Sequence, residues 1–247
     1  MDPLVSTRLS LRWPPAPAAE QSDVLVIQGR TGFFLDLRIC RTEGRDETDE
    51  GKDSVVDWAT AGWKRLLPPR DGEEHPRASF EALIDSRRPL SHASASSADS
   101  SSTLPAEEAP PDEGSFETLE NGDVLETGEM LNTDTGKVQP YEELWRRLPL
   151  TQTQDAGEQL QIVILESEGE GEKAFLGRVG DWELGMVDAS DGFGVVRREK
   201  RGEHWVEVYR NRAAVGLPSI EGIPPGSART GEAIELGGRS WHVVELE

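Results

Sequence analysis

Turn chemistry interrupts this chain about every ten residues, a spacing that suits short strands and leaves no room for layers of long helices. Between the turns lie short apolar or alternating runs. Val24-Leu25-Val26-Ile27 is followed by Gly29-Arg30-Thr31-Gly32 and then by Phe33 to Cys40. In that second run Phe33, Leu35, Leu37 and Ile39 share one side, and Phe34, Asp36, Arg38 and Cys40 the other, which is the period of a strand. The two runs predict a β-hairpin. A second hairpin is predicted for Phe193 to Arg198 and His204 to Tyr209, around Glu199 to Glu203. A third joins Ala233 to Leu236 with Ser240 to Leu246, around Gly237-Gly238. Ala174 to Val187 carries glycines at 177, 180 and 185, which predicts two extended pieces or one bent strand. Such a series is the pattern of an antiparallel sandwich or barrel.

One stretch departs from this pattern. In Asn121 to Leu150, Asn121-Gly122 marks a turn, Val124 to Glu129 alternates, and Asn132 to Gly136 is a second turn cluster. After Pro140, however, Tyr141, Leu144, Trp145 and Leu148 recur at i, i+3, i+4 and i+7, the stripe of an amphipathic helix. Glu142 and Glu143 suit its first turn, Arg146 and Arg147 its last, and Pro149 its end. A short helix capping a barrel is therefore expected here. Elsewhere, Leu4 to Trp13 and Gln161 to Leu165 predict strands. Val55 to Trp63 predicts another, bent or bulged at Gly62, and Phe80 to Arg87 fits a strand or a helical turn. Ser91 to Gly114 is Ser, Ala, Pro and Glu with almost no large apolar residue, so it is expected to be a mobile loop.

Charge narrows the partners. The chain of 247 residues carries a formal net charge of -21, which argues against direct binding to nucleic acid or to anionic membranes. There is one cysteine, Cys40, so no intrachain disulfide is expected. No run reaches the ~18 apolar residues of a membrane helix, and Met1 to Pro17 lacks the apolar segment of a signal peptide.

Residues in catalytic or metal-binding patterns are few. His75, His92, His204 and His242 stand apart from metal-ligand spacing, and neither a phosphate-binding loop nor a nucleophile elbow occurs. Neither a cofactor nor a metal is expected. Carboxylate pairs such as Glu142-Glu143, Glu107-Glu108 and Glu73-Glu74 are too frequent to mark general acid-base work. Trp58, Trp145, Trp182, Trp205 and Trp241 sit in or beside apolar periodic segments and are expected to pack, with a ligand pocket among some of them as the second reading. Arg197 to Arg201 reads as a solvated hairpin turn, and Glu126-Thr127-Gly128-Glu129 as part of an alternating strand. In the Ser-rich segment Ser97, Ser100 and Ser102 are candidate phosphoacceptors, each with a serine or an acid three residues upstream.

Several motifs also resemble, in order along the chain, a fungal family named for interaction with a casein-kinase-I-type protein kinase, the Hri family. They are Phe34 to Arg38, Trp58 to Gly62 and Ile84 to Arg87, then Asn121-Gly122-Asp123 with Leu125-Glu126, Gly128 and Met130. Thr135-Gly136-Lys137, Pro140 to Glu143 with Trp145-Arg146, Gly177 to Val187 and the end around Trp241 complete them. Trp58, Gly62, Gly128, Tyr141, Trp145, Trp182 and Trp241 are carried over as family markers with structural roles. The resemblance implies two tandem lipocalin-like (calycin-like) antiparallel β-barrels, residues 1–150 and 151–247, with a short helix near their junction. It also implies a cytoplasmic and nuclear protein that binds a casein-kinase-I-type kinase and is not an enzyme. The alternative expectation is a carrier for a small apolar ligand inside one barrel.

Overall fold

In a computed structural model the described residues are 1–41, 55–70, 72, 74–88, 112–150, 160–221, 223 and 228–247. The low-complexity segment falls largely outside them, as do Ser97, Ser100 and Ser102. Eight antiparallel strands close the first barrel in chain order. They are β1 (Leu4–Arg12), β2 (Ser22–Gln28), β3 (Phe33–Cys40), β4 (Val56–Leu67), β5 (Arg77–Asp85), β6 (Glu113–Thr118), β7 (Val124–Asn132) and β8 (Lys137–Arg147), with β8 pairing back on β1. Strand β6 begins at Glu113, so the predicted loop ends before Gly114.

The turns are those read in the sequence. The Asn121 side chain accepts from the Asp123 N–H at 3.0 Å, and Gly122 takes φ 85°. The Asn132 side chain accepts from the N–H groups of Asp134 and Thr135, and Gly136 takes φ 66°. Only glycine reaches such positive φ without strain.

The expected helix is absent. Lys137–Arg147 is the strand β8, paired with β7 from Val124↔Trp145 to Asn132↔Lys137 and with β1 from Ser6↔Arg147 to Arg12↔Glu142. The i, i+3, i+4, i+7 stripe was a coincidence of a strand apolar on parts of both faces. Pro140 is tolerated because it lies beyond the end of the β1 ladder, where β8 has only β7 beside it. Among the described residues the single helical element is a 3-10 turn, Arg212–Ala214.

Strands within residues 162–246 form a seven-stranded antiparallel sheet. Its strands are β9 (Ile162–Gly169), β10 (Glu172–Val179), β11 (Trp182–Ala189), β12 (Gly192–Arg201), β13 (His204–Arg210), β14 (Ala233–Leu236) and β15 (Arg239–Leu246), in the order β13-β12-β11-β10-β9-β15-β14. The end strands β13 and β14 are not hydrogen-bonded to each other, so this sheet is not closed as the first one is. The run Arg197 to Arg201 belongs to β12 and not to a solvated turn. Arg198 is buried, because Glu183 on the neighbouring strand β11 neutralises it.

Two cores result. Ile162, Ile164, Phe175, Val179, Leu184, Met186 and Val195 line one face of the sheet. They pack against Val5, Leu25, Ile27, Phe33, Leu35 and Leu37 on the outside of the barrel. The Phe33 and Phe175 rings lie 4.9 Å apart. Gly177 is needed at this contact, since a Cβ there would stand 2.7 Å from Leu35 and 2.8 Å from Ile27. The opposite face, with Val163, Leu165, Leu176, Val196, Trp241 and Val243, is covered by Leu217, Ile220 and Ile223. Trp241 is fully buried there and its indole N–H donates to the Leu236 carbonyl. Trp182 packs at the edge of the first core. The hairpin tip between β2 and β3 is fastened to the sheet by the Glu245 carboxylate, which accepts from the N–H groups of Arg30 at 2.7 Å and Thr31 at 3.0 Å.

Candidate functional site: the barrel lumen

With Phe33, Leu35 and Leu37 committed to the outer wall, the alternate residues Phe34, Asp36 and Arg38 must point inward. The same alternation on the other strands brings Lys64, Phe80, Phe116, Glu126, Tyr141, Glu143 and Trp145 into the lumen. They surround a cavity of about 300 Å³. It reaches solvent where Leu66, Arg147 and Asp112, all exposed, contribute to its wall.

Basic and acidic side chains line the cavity in equal number. Arg38, Lys64, Arg77 and Arg147 face Asp36, Asp112, Glu126 and Glu143. At one level Arg38 bonds to Asp36 at 2.8 Å and to Glu143 at 3.2 Å, and Arg8 bonds to Glu143 and, at 2.7 Å, to Glu20. Burial pulls the Arg38 guanidinium toward neutrality, but Asp36 and Glu143 outweigh it and hold it charged. Its central carbon lies 4.5 Å from the centre of the Trp58 ring and 5.9 Å from that of Trp145. The Trp58 indole N–H donates to Asp85 at 2.8 Å, which fixes the ring.

A second cluster differs in kind. The Tyr141 hydroxyl donates to Glu126 at 3.0 Å. Burial, with Glu143 adding repulsion, raises the Glu126 carboxyl from its ordinary 4.5 to about 8. Lys64 stands over the Phe116 ring at 4.2 Å and the Phe80 ring at 5.3 Å, and burial lowers its pKa. The small residues around this cluster leave no slack. A Cβ on Gly128 would fall 2.8 Å from the Tyr141 ring and 2.6 Å from the Glu113 carbonyl. One on Gly62, at the register shift between β4 and β5, would fall 1.9 Å from the Glu81 carbonyl.

Tyr141, Trp58 and Trp145 are thus brought to one site, and Gly62 and Gly128 shape its wall. Trp182 and Trp241 belong to the other cores. Lys64 has no distinguishing sequence context, Arg38 stands in sequence only within an alternating run and a family motif, and Glu143 is one of many acidic pairs. Their only signal was that the inward side of an alternating strand was charged. Glu142, next to Glu143, points outward to Arg12, so the pair is divided by the pleat. Among the described residues no group of three side chains could hold a metal ion, and no helix is long and apolar enough to cross a membrane.

Two results can be read from this geometry. Trp145 has a buried indole N–H with no hydrogen-bond partner among the described residues. Trp145→Phe removes an unsatisfied donor, so it should be neutral or stabilising by up to about 1 kcal/mol in urea unfolding. A loss above about 2 kcal/mol would mean that the N–H is bonded or that the packing of the lost ring atoms outweighs its release. The second concerns pH. Glu126 is protonated in the fold where the unfolded chain is ionised, so its contribution is full below pH 4.5 and disappears as pH rises to about 8. Stability should therefore fall over that window, and the fall should be smaller in Glu126→Gln. Parallel pH profiles for the two proteins would refute the shift.

A closed eight-stranded β-barrel with an ionisable, aromatic-lined lumen, backed by a second sheet, defines the class. Over residues 4–245 the chain matches the family described as Protein HRI1, and it belongs to that family. No curated protein matches it. Among solved structures it is similar to the crystal structure of the uncharacterized protein YLR301w from Saccharomyces cerevisiae, with 15% identity, a TM-score of 0.71 and 99% of each chain covered. At that identity the likeness is one of fold.

Proposed function

We propose that the chain is a lipocalin-like binding protein that holds a small ligand with an apolar body in the lumen of its first barrel. The observation that carries this reading is the solvent-connected cavity of about 300 Å³, with aromatic walls and buried charges. Buried ion pairs contribute little net stability compared with apolar filling of the same volume. A barrel selected for stability alone would have closed its interior with Leu, Ile and Phe, as the sheet does around Trp241. The cavity size falls in the range of small-molecule sites.

The test is titration with a polarity-sensitive fluorescent dye, using Thr60→Phe to fill the lumen. Saturable binding to the native chain that is lost in the filled variant supports the reading. Equal binding to both, or none to either, sinks it.

Family membership favours a second reading, binding to a casein-kinase-I-type kinase. With as many basic as acidic side chains in the lumen, the acidic excess of the chain lies elsewhere, where it would attract a basic partner surface. A pull-down with the purified kinase tests it. Retention no greater than on an unrelated protein of equal charge would remove it.

A further inference from the structure

From the lumen charges we infer that the ligand is an aryl carboxylate of about a dozen non-hydrogen atoms, its anionic head between Lys64 and Glu126 and its ring among Phe34, Phe80 and Phe116. This rests on the reading of the lumen as a ligand site. An apolar cavity of about 150 Å³ accommodates benzene, and the present one is twice that size. The aromatic part of the wall asks for a flat apolar body: Phe34 and Phe80 are edge-to-face at 5.6 Å, and Phe80 and Phe116 at 6.2 Å.

The sign of the head group follows from the cations. Arg38 is already engaged by Asp36 and Glu143, and Arg77 by Glu113. Lys64 faces two rings, with Glu126 as the acid that acts on it most strongly. The groups around Glu126 are Arg38 of β3, Lys64 of β4, Tyr141 and Glu143 of β8, and Asp112 ahead of β6. When Glu126 holds its proton, the acid that acts most strongly on Lys64 is neutral, and the ammonium can take an anion in its place. The protonated carboxyl can then donate a hydrogen bond to a carboxylate, which the ionised one would repel. Uptake of the anion and retention of the Glu126 proton therefore go together.

Calorimetric titration with 2-naphthoate, 2-naphthamide and 2-naphthylmethylammonium tests this on the full chain. At pH 7 the carboxylate should bind at least tenfold tighter than the amide, and the ammonium should bind weakest. Lys64→Met, close in volume, should remove the preference for the carboxylate over the amide. At pH 8.5, titration in two buffers of different ionisation enthalpy should show proton uptake with the native chain and less with Glu126→Gln. That variant should also bind 2-naphthoate at pH 9 at least fivefold tighter than the native chain does. Circular dichroism confirms that each variant is folded. If the amide or the ammonium binds as tightly as the carboxylate, the lumen remains a ligand site but the assignment of an anion is overturned. If none of the three binds at millimolar concentration, the lumen reading itself fails.

Discussion

Replacing Glu183 by Ala is expected to lower the unfolding free energy by about 3–5 kcal/mol, the cost of stranding buried charge. Glu183 is completely buried on β11. It accepts from Arg178 at 2.6 Å, from Arg198, and from the Ile220 N–H at 3.1 Å. Both guanidiniums are buried, and Arg178 lies 4.1 Å from the Trp205 ring. Without the carboxylate two cations would face each other inside the sheet. The segment carrying Leu217 and Ile220, which covers the second core, would also lose one of its anchors. Urea denaturation followed by tryptophan fluorescence measures the effect. A loss below about 1 kcal/mol would show that water reaches the cluster and solvates the arginines.

Phe175→Ala should cost a similar amount, about 3–5 kcal/mol, because a fully buried aromatic is replaced by a cavity. Phe175 projects from the sheet onto Phe33 of the barrel's outer wall, and Phe33 in turn meets Trp63 edge-to-face at 4.9 Å. The informative comparison is Phe80→Ala, which removes a ring of the same size from the lumen. Phe80 is only partly buried and borders a space that is already open, so its loss should cost clearly less. The opposite order would mean that the barrel keeps its main core inside, as most small barrels do.

This difference explains what could be foreseen about the site. The alternation of Phe33 to Cys40 was evident, and so were the turns at Asn121-Gly122, Asn132 to Gly136 and Gly237-Gly238, because each depends on chemistry within a few residues. The bulge at Gly62 was legible for the same reason. The helix expected after Pro140 was wrong because periodicity over so few positions does not separate a helix from a strand with apolar residues on both faces. Arg197 to Arg201 was misread as solvated because the partner that neutralises Arg198, Glu183, is remote in sequence and adjacent only across a strand pair.

Local sequence therefore determined the strand class of this protein, most of its turns, and the division of each strand into two chemically distinct faces. Which face turns inward was decided only in the tertiary structure. A two-residue period distinguishes the sides of a strand but contains no term for the direction in which a sheet curls. Here the second sheet covers the apolar side with Ile162, Ile164 and Phe175, burying that surface away from water. The curl of the barrel then encloses Asp36, Arg38, Lys64, Glu126 and Glu143, and it is this choice that makes a polar lumen, and a candidate site, out of residues that look in sequence like a solvated face.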